Sequence, residues 1–149
     1  MIYSVNDPVL ENVPIKQDLL AAIQRVVEGG NYILGNEVQA FENKFASYVN
    51  VGHAIGFSSG TSSISAALRI LNIGVGDQVI IPANTALATA AAVIDIGAVP
   101  VLVDVDEDTA LISFASILEN ITPKTKAIIA VHLFGNPVDI QSLRSALGS

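Results

Sequence analysis

The 149-residue sequence contains no cysteine and no tryptophan, one methionine and few aromatic residues (5%). Without cysteine, the chain forms no disulfide, no thiolate metal site and no cysteine nucleophile. Basic residues are also scarce, because seven lysines and arginines stand against fourteen acidic residues and give a net charge of −7. This balance disfavours binding to nucleic acid or to an anionic membrane. An anionic ligand would therefore have to be bound by local geometry rather than by the overall electrostatic field.

Signals for export or membrane insertion are also missing. The start, MIYSVNDPVLENVP, reaches acidic and proline residues at once and has no basic residue before an apolar block, so it predicts no secretory signal. The uncharged stretch at 78–94 contains Pro82 and Asn84 and would make a poor membrane-spanning helix. His53 and His132 have no ligand-spaced partner. We therefore expect a cytoplasmic protein without a membrane segment or a metal site.

Two amphipathic helices are predicted within residues 1–50, after an extended start. KQDLLAAIQRVVEGG carries one apolar face and ends at the glycine pair Gly29 and Gly30. NEVQAFENKFASYVN has apolar and aromatic residues at alternating spacings of three and four, behind a predicted N-cap at Asn36. We interpret this aromatic stripe as a core face rather than a ligand site. Residues 1–50 are thus predicted to be an N-terminal helical segment.

Short apolar strands alternate with helices over residues 51–149. The predicted strands are HAIGF, QVIIP, VPVLVDVD and KAIIAVHLF, and the predicted helices are TSSISAALRILN, TALATAAAVIDIG, SFASILENI and DIQSLRSALG. This alternation, with strands apolar on both faces, is typical of a parallel sheet with right-handed crossovers. The prediction is an α/β fold with three layers (α/β/α) and a mainly parallel sheet. One strand edge would be open, to be covered by a partner chain or by further polypeptide.

A polar hinge, SSGTSS (58–63), separates the first predicted strand from its helix. A helix N-terminus has unpaired N–H groups and a partial positive charge, so it can bind phosphate without a basic side chain. All six residues of the hinge, 58–63, suit this role, because Gly60 allows close approach and the hydroxyls can reach phosphate oxygens. On residue chemistry alone, plain N-capping is favoured over phosphate binding. The hinge is not a Walker loop, because no lysine follows and the glycine spacing is wrong. A dinucleotide-binding fingerprint is also excluded, because Gly74 and Gly76 lead into a strand and not into a helix.

Several phrases of the sequence together resemble one enzyme family. FSSGT, GVGDQVIIPANT, GAVPVLVDVD and TKAIIAVHLFG stand in the order typical of the DegT/DnrJ/EryC1/StrS family, and the resemblance extends from Pro14 to Leu143. It implies a pyridoxal-phosphate-dependent sugar aminotransferase of fold type I, with these residues in the first half of the large domain. Such an enzyme moves an amino group from an amino-acid donor, typically glutamate, onto a keto group of a nucleotide-linked sugar. The family also implies a homodimer.

The resemblance implies roles for five residues. The hinge matches the family's cup for the cofactor phosphate, with Gly60 and Thr61 at the matching positions and Ser59 and Ser62 beside them. Ala86 stands where the family usually has an aromatic residue packed on the pyridine ring. We therefore expect weaker stacking of the cofactor at this position.

No catalytic residue is expected within the sequence. The family's Schiff-base lysine and the carboxylate that pairs with the pyridine nitrogen come later in the family pattern, and Lys124 and Lys126 match a turn phrase instead. We therefore expect the chain not to transaminate alone. Asp104 and His132, at strand ends, are candidates for lining the site, with capping or packing as the alternative. Two other functions remain open: a non-catalytic binding or dimerisation module, and part of a related sugar dehydratase or regulatory relative.

Overall fold

The structure is a computed structural model that describes residues 7–148. The chain divides into two compact units, Met1–Gly56 and Phe57–Ser149. Part of the expected extended start, residues 1–6, lies outside the described residues. The rest is helical, because the Asp7 carboxylate caps a short helix α1 (Pro8–Asn12) and a 3₁₀ turn (Val13–Ile15) follows. The expectation of an extended start is therefore wrong for the part that the structure describes.

The first unit contains both predicted amphipathic helices, α2 (Lys16–Gly29) and α3 (Asn36–Tyr48). Helix α2 ends as predicted, because its C-cap Gly30 has the left-handed conformation (φ 67°) that glycine adopts at low cost. Asn36 is not the N-cap of α3, since the helix already includes Asn36 and its cap is Gly35. A Cβ atom at Gly35 would lie 2.6 Å from a backbone carbonyl oxygen, so the preceding turn requires glycine.

The apolar faces of α2 and α3 stay largely exposed, so the interpretation of the α3 stripe as a core face is wrong. Phe41 and Phe45 stack with ring centroids 5.7 Å apart, yet they are 61% and 46% exposed. Among the described residues of these two helices, Ala46 alone is buried. The prediction failed because amphipathic spacing identifies an apolar face and does not show whether the same chain covers it.

A parallel sheet of three strands forms the centre of the second unit. The strands, in the spatial order β2-β1-β3, are β1 (Gln78–Pro82), β2 (Val99–Val103) and β3 (Thr125–Ile128). The central residue Ile80 of β1 is in register with Val101 on one side and Ile128 on the other. The strand predicted at 53–57 does not form, because no segment among residues 7–148 pairs with it. A strand needs a hydrogen-bonded neighbour, which sequence pattern alone cannot provide.

Helices cover both faces of the sheet. They are α4 (Gly60–Ile70), α5 (Leu87–Asp95), α6 (Phe114–Asn120) and α7 (Ile140–Leu147). Val79 of β1 packs on one face in a cluster with α4 and α5 that includes Val93. Ile80 packs on the opposite face with α6 and α7, in a cluster that includes Ile117. All four side chains are fully buried. The predicted three-layer α/β fold is confirmed.

The strand order determines where a ligand site can lie. The connection from β1 to β2 runs through α5 on one face, and that from β2 to β3 runs through α6 on the other. The chain therefore reverses its winding direction across β1. In open α/β sheets, ligands bind at the carboxyl ends of strands next to such a reversal. That edge of the second unit is where the candidate site is found.

Candidate functional site

The polar hinge forms the first turn of α4. Ser59 is the N-cap, and its Oγ accepts the amide N–H of Ser62 at 3.1 Å and lies 2.9 Å from Ser62 Oγ. Ser58 Oγ lies 3.4 Å from the same Ser62 hydroxyl, and Ser63 Oγ donates to the Gly60 carbonyl at 2.8 Å. The capping predicted from residue chemistry is therefore present at Ser59.

Two backbone donors of this turn remain available after capping. Within residues 7–148, no acceptor is paired with the amide N–H of Gly60 or of Thr61. A Cβ atom at Gly60 would meet nothing within 4 Å, so the backbone there faces open space. Free N–H groups at a helix N-terminus, with the partial positive charge of the helix behind them, are suited to bind a phosphate group.

Helix α5 runs parallel to α4 and in contact with it. The buried Ser65 hydroxyl of α4 donates to the Ala92 carbonyl of α5 at 3.2 Å. One turn further, an Arg69 Nη atom lies 3.0 Å from the Asp95 carbonyl oxygen and 3.1 Å from its Oδ2. The sequence offsets of the two pairs, 27 and 26 residues, are nearly equal. The helices therefore advance together in the same direction.

Ala86, the expected ring-contact position, is exposed and is the N-cap of α5, just after the carboxyl end of β1. Ala86 therefore marks the start of α5, the helix that packs against α4. Thr85 Oγ1 and Thr89 Oγ1 lie 2.9 Å apart and brace the turn into α5. Both helices therefore begin at the carboxyl edge of the sheet, α4 with the hinge and α5 directly after Ala86.

Asp104 and His132 are occupied by local hydrogen bonds. Asp104 directly follows β2, and its Oδ1 accepts the Val105 N–H at 2.8 Å. His132 lies beyond β3, and its Nδ1 accepts the Val138 N–H at 2.9 Å, which places the proton of the neutral ring on Nε2. Phe134, in the loop that this bond closes, is 92% exposed and has a left-handed backbone (φ 54°). These contacts support the capping and packing alternative for Asp104 and His132.

Acidic side chains at the same edge of the sheet serve turns and caps. Hydrogen bonds from the Thr109 hydroxyl and amide lower the pKa of the Asp106 carboxyl, and those from Ser142 lower the pKa of Asp139, the N-cap of α7. No cluster of His, Asp and Glu suited to a metal ion occurs in the described part of the chain. In the same residues, no helix combines the length and the apolar character needed to cross a bilayer.

The contact between α4 and α5 was not predicted from the sequence. A signal for it was present in Ser65, a polar residue on the apolar face of α4. A serine in that position needs a hydrogen-bond partner once it is buried, and the partner here is a carbonyl of the next helix.

Comparison with known proteins identifies the family. Residues 14–147 match the DegT/DnrJ/EryC1/StrS aminotransferase family. The chain belongs to this family. It is 44% identical over 130 residues to an Acidithiobacillus ferrooxidans protein described as UDP-N-acetyl-3-dehydro-alpha-D-glucosamine 3-aminotransferase. The match covers 87% of this chain and 35% of that relative.

Solved structures of family members have the same fold. S. venezuelae DesV superimposes with a TM-score of 0.91 at 39% identity, over 95% of this chain and 38% of DesV. NtdA from Bacillus subtilis, described with bound cofactor PMP, superimposes with a TM-score of 0.89 at 34% identity, over 99% of this chain and 35% of NtdA. The α/β architecture is therefore that of fold type I aminotransferases. The chain spans little more than a third of the length of these relatives.

Proposed function

We propose that these residues are the N-terminal part of a pyridoxal-phosphate-dependent aminotransferase that acts on a nucleotide-linked keto sugar, with glutamate as the amino donor. The family match and the described activity of the Acidithiobacillus relative support this proposal. The observation that carries it is the first turn of α4. There Ser59 caps the helix, while the N–H groups of Gly60 and Thr61 have no acceptor within residues 7–148.

In this proposal, Ser59–Ser62 form a phosphate cup for the cofactor. The amides of Gly60 and Thr61 donate to phosphate oxygens, and the hydroxyls of Thr61 and Ser62 are within the same turn. A hydrogen bond to a charged group contributes about 1.5–3 kcal/mol, so a few of them can hold a phosphate on an acidic protein. The bound cofactor supplies an electron sink for amino transfer. The chain's own contribution is to bind its phosphate and orient it at the carboxyl edge of the sheet.

We also propose that the chain alone is inactive in transamination. Amino transfer with this cofactor requires a lysine beside the reacting atoms. Lys124 precedes β3 and Lys126 is its second residue, so both lie at the amino edge of the sheet, opposite the cup. Neither lysine is placed to serve the cup.

We also propose self-association through the first unit, as a homodimer. The support is the exposed apolar surface of α2 and α3, on which Leu20, Ile23 and Phe41 are 50%, 59% and 61% exposed. Burial of such side chains against a second copy would be favourable by about 25 cal/mol per Å² of apolar surface. This surface and the small residue at Ala86 also favour a second candidate function, a non-catalytic dimerisation module of the same fold.

Equilibrium binding of pyridoxal phosphate and of pyridoxal, which lacks the phosphate, tests the proposal on the purified chain. We expect tighter binding of pyridoxal phosphate, chemical-shift changes at the Gly60 and Thr61 amides, and no amino transfer from glutamate. Equal affinity for the two compounds would contradict the phosphate cup and favour the dimerisation module. A covalent adduct on one of the lysines that supports amino transfer would contradict the proposed inactivity.

A further inference from the structure

The segment that leads into the phosphate cup, residues 52–58, has few restraints of its own. It was predicted to contain a strand, but it pairs with no strand in the described chain. Among the described residues, a single hydrogen bond joins its backbone to α3: the Gly56 N–H donates to Glu42 Oε1 at 2.7 Å. Within the first unit, the Glu42 side chain therefore restrains the backbone of this segment at Gly56.

The contact between Glu42 and Gly56 has the features of a strong hydrogen bond. Its acceptor is a carboxylate oxygen, and charge-assisted hydrogen bonds are shorter and stronger than neutral ones. Glu42 is half-buried and lies in a groove lined by Phe45, Val51 and Ile55. Gly56 itself is exposed, so the strength of this bond comes from the charge of the carboxylate. The Glu42 carboxylate lies on the side of Gly56 where a side chain would be attached, since a Cβ atom there would lie 3.5 Å from Oε1.

We propose that Glu42 is a positioning residue for cofactor binding. This inference rests on the proposed phosphate cup. Phe57 and Ser58 alone separate Gly56 from the Ser59 cap, so a restraint on the Gly56 backbone reduces the conformations open to the start of the cup. Ordering a flexible segment on binding costs conformational entropy, and a segment ordered beforehand avoids that cost. Glu42 acts through the backbone and makes no contact with the cofactor itself.

Two substitutions at Glu42 and one matched control test the proposal. Glu42→Ala removes the acceptor, and Glu42→Gln keeps an acceptor oxygen without the charge. Glu37→Ala removes the same charge from the same helix, where Glu37 makes an exposed ion pair with Arg25 at 3.2 Å. Surface pairs of this kind contribute little. The measurements are hydrogen exchange at the Gly56 amide and the ratio of the affinities for pyridoxal phosphate and pyridoxal.

For Glu42→Ala we expect faster exchange at Gly56 and a fall in the affinity ratio of about three- to tenfold. Glu42→Gln should give intermediate values of both, and Glu37→Ala should match the unsubstituted chain. If Glu42→Ala fails to fold, the Glu42→Gln values decide. Faster exchange at Gly56 with an unchanged affinity ratio would overturn the positioning role and leave the cup intact. A ratio of one in the unsubstituted chain would instead overturn the proposed cup, and the role of Glu42 with it.

Discussion

The hydroxyl of Ser65 donates to the carbonyl oxygen of Ala92 at 3.2 Å, and both residues are buried between α4 and α5. This bond is part of the contact that keeps the two helices parallel. Both helices begin at the carboxyl edge of the sheet, where the candidate site lies. A buried hydroxyl in the core of the second unit thus helps to hold α4, whose first turn forms the candidate site, against α5.

We expect Ser65→Ala to lower the free energy of unfolding by about 1 kcal/mol, because it removes a buried hydrogen bond. Urea unfolding followed by circular dichroism measures the change. Ser145→Ala is the matched control, since the Ser145 hydroxyl donates to the Gln141 carbonyl at an exposed position of α7. Equal effects of the two substitutions would show that the Ser65 contact contributes no more than a surface hydrogen bond.

Ser59→Asp separates helix capping from phosphate binding. Aspartate caps a helix N-terminus as well as serine does, so we expect unchanged stability. Its carboxylate would repel a phosphate at the same turn, so the preference for pyridoxal phosphate over pyridoxal should disappear. Ser59→Asn is the neutral control and should keep both the stability and the preference. If Ser59→Asp bound pyridoxal phosphate as the unsubstituted chain does, the phosphate would not lie at this turn.

Ala86→Phe should strengthen binding of the cofactor ring. Ala86 is exposed, so a larger side chain causes no loss of core packing. Aromatic contacts contribute about 0.5–1.5 kcal/mol, which corresponds to a gain of about two- to tenfold in affinity for pyridoxal phosphate. Ala86→Leu controls for apolar surface without a ring. Equal gains from Phe and Leu, measured by fluorescence titration, would argue against stacking at this position.

The capping of α7 by Asp139 should depend on pH. The Ser142 hydroxyl and amide lower the pKa of Asp139 below its ordinary value of 3.8. Because the folded-state pKa is the lower one, the interaction stabilises the fold above that ordinary value and is lost as the pH falls through the folded-state pKa. Asp139→Ala should therefore be less stable than the unsubstituted chain at about pH 7, with a smaller difference at about pH 3.

Thermal unfolding at a series of pH values measures this dependence. Ser142→Ala removes the hydroxyl donor and should reproduce part of the destabilisation at neutral pH. A difference in melting temperature between Asp139→Ala and the unsubstituted chain that stays constant down to about pH 3 would contradict the prediction.

Alternating apolar strands and helices were enough to predict the α/β fold, because residues 79–82 of β1 are apolar and buried on both faces of the sheet. The pattern failed at 53–57, where strand formation depends on a neighbour elsewhere in the chain. It also failed for the N-cap at Asn36. There the turn before the helix requires Gly35 as the cap, because a Cβ atom at that position would lie 2.6 Å from the Asn31 carbonyl oxygen.

The hinge could be predicted as a candidate site because the chemistry of a helix N-terminus is local. Two neighbouring features could not. The packing of α4 on α5 includes the bond between Ser65 and Ala92, which are 27 residues apart, and the Glu42–Gly56 bond joins residues fourteen apart through the fold of the first unit. Side-chain contacts of this kind leave no periodic signal in a sequence.

The place of β1 between its two neighbours also bears on how the second unit is assembled during synthesis. Only α5 separates β1 from β2 in the chain. By contrast, α5, β2 and α6 all lie between β1 and β3, which pairs with the other edge of β1. Closing the longer loop costs more chain entropy and is the slower step. On the ribosome, β1 and β2 can pair first, and one edge of β1 then stays bare until Ile128 emerges and docks beside Ile80.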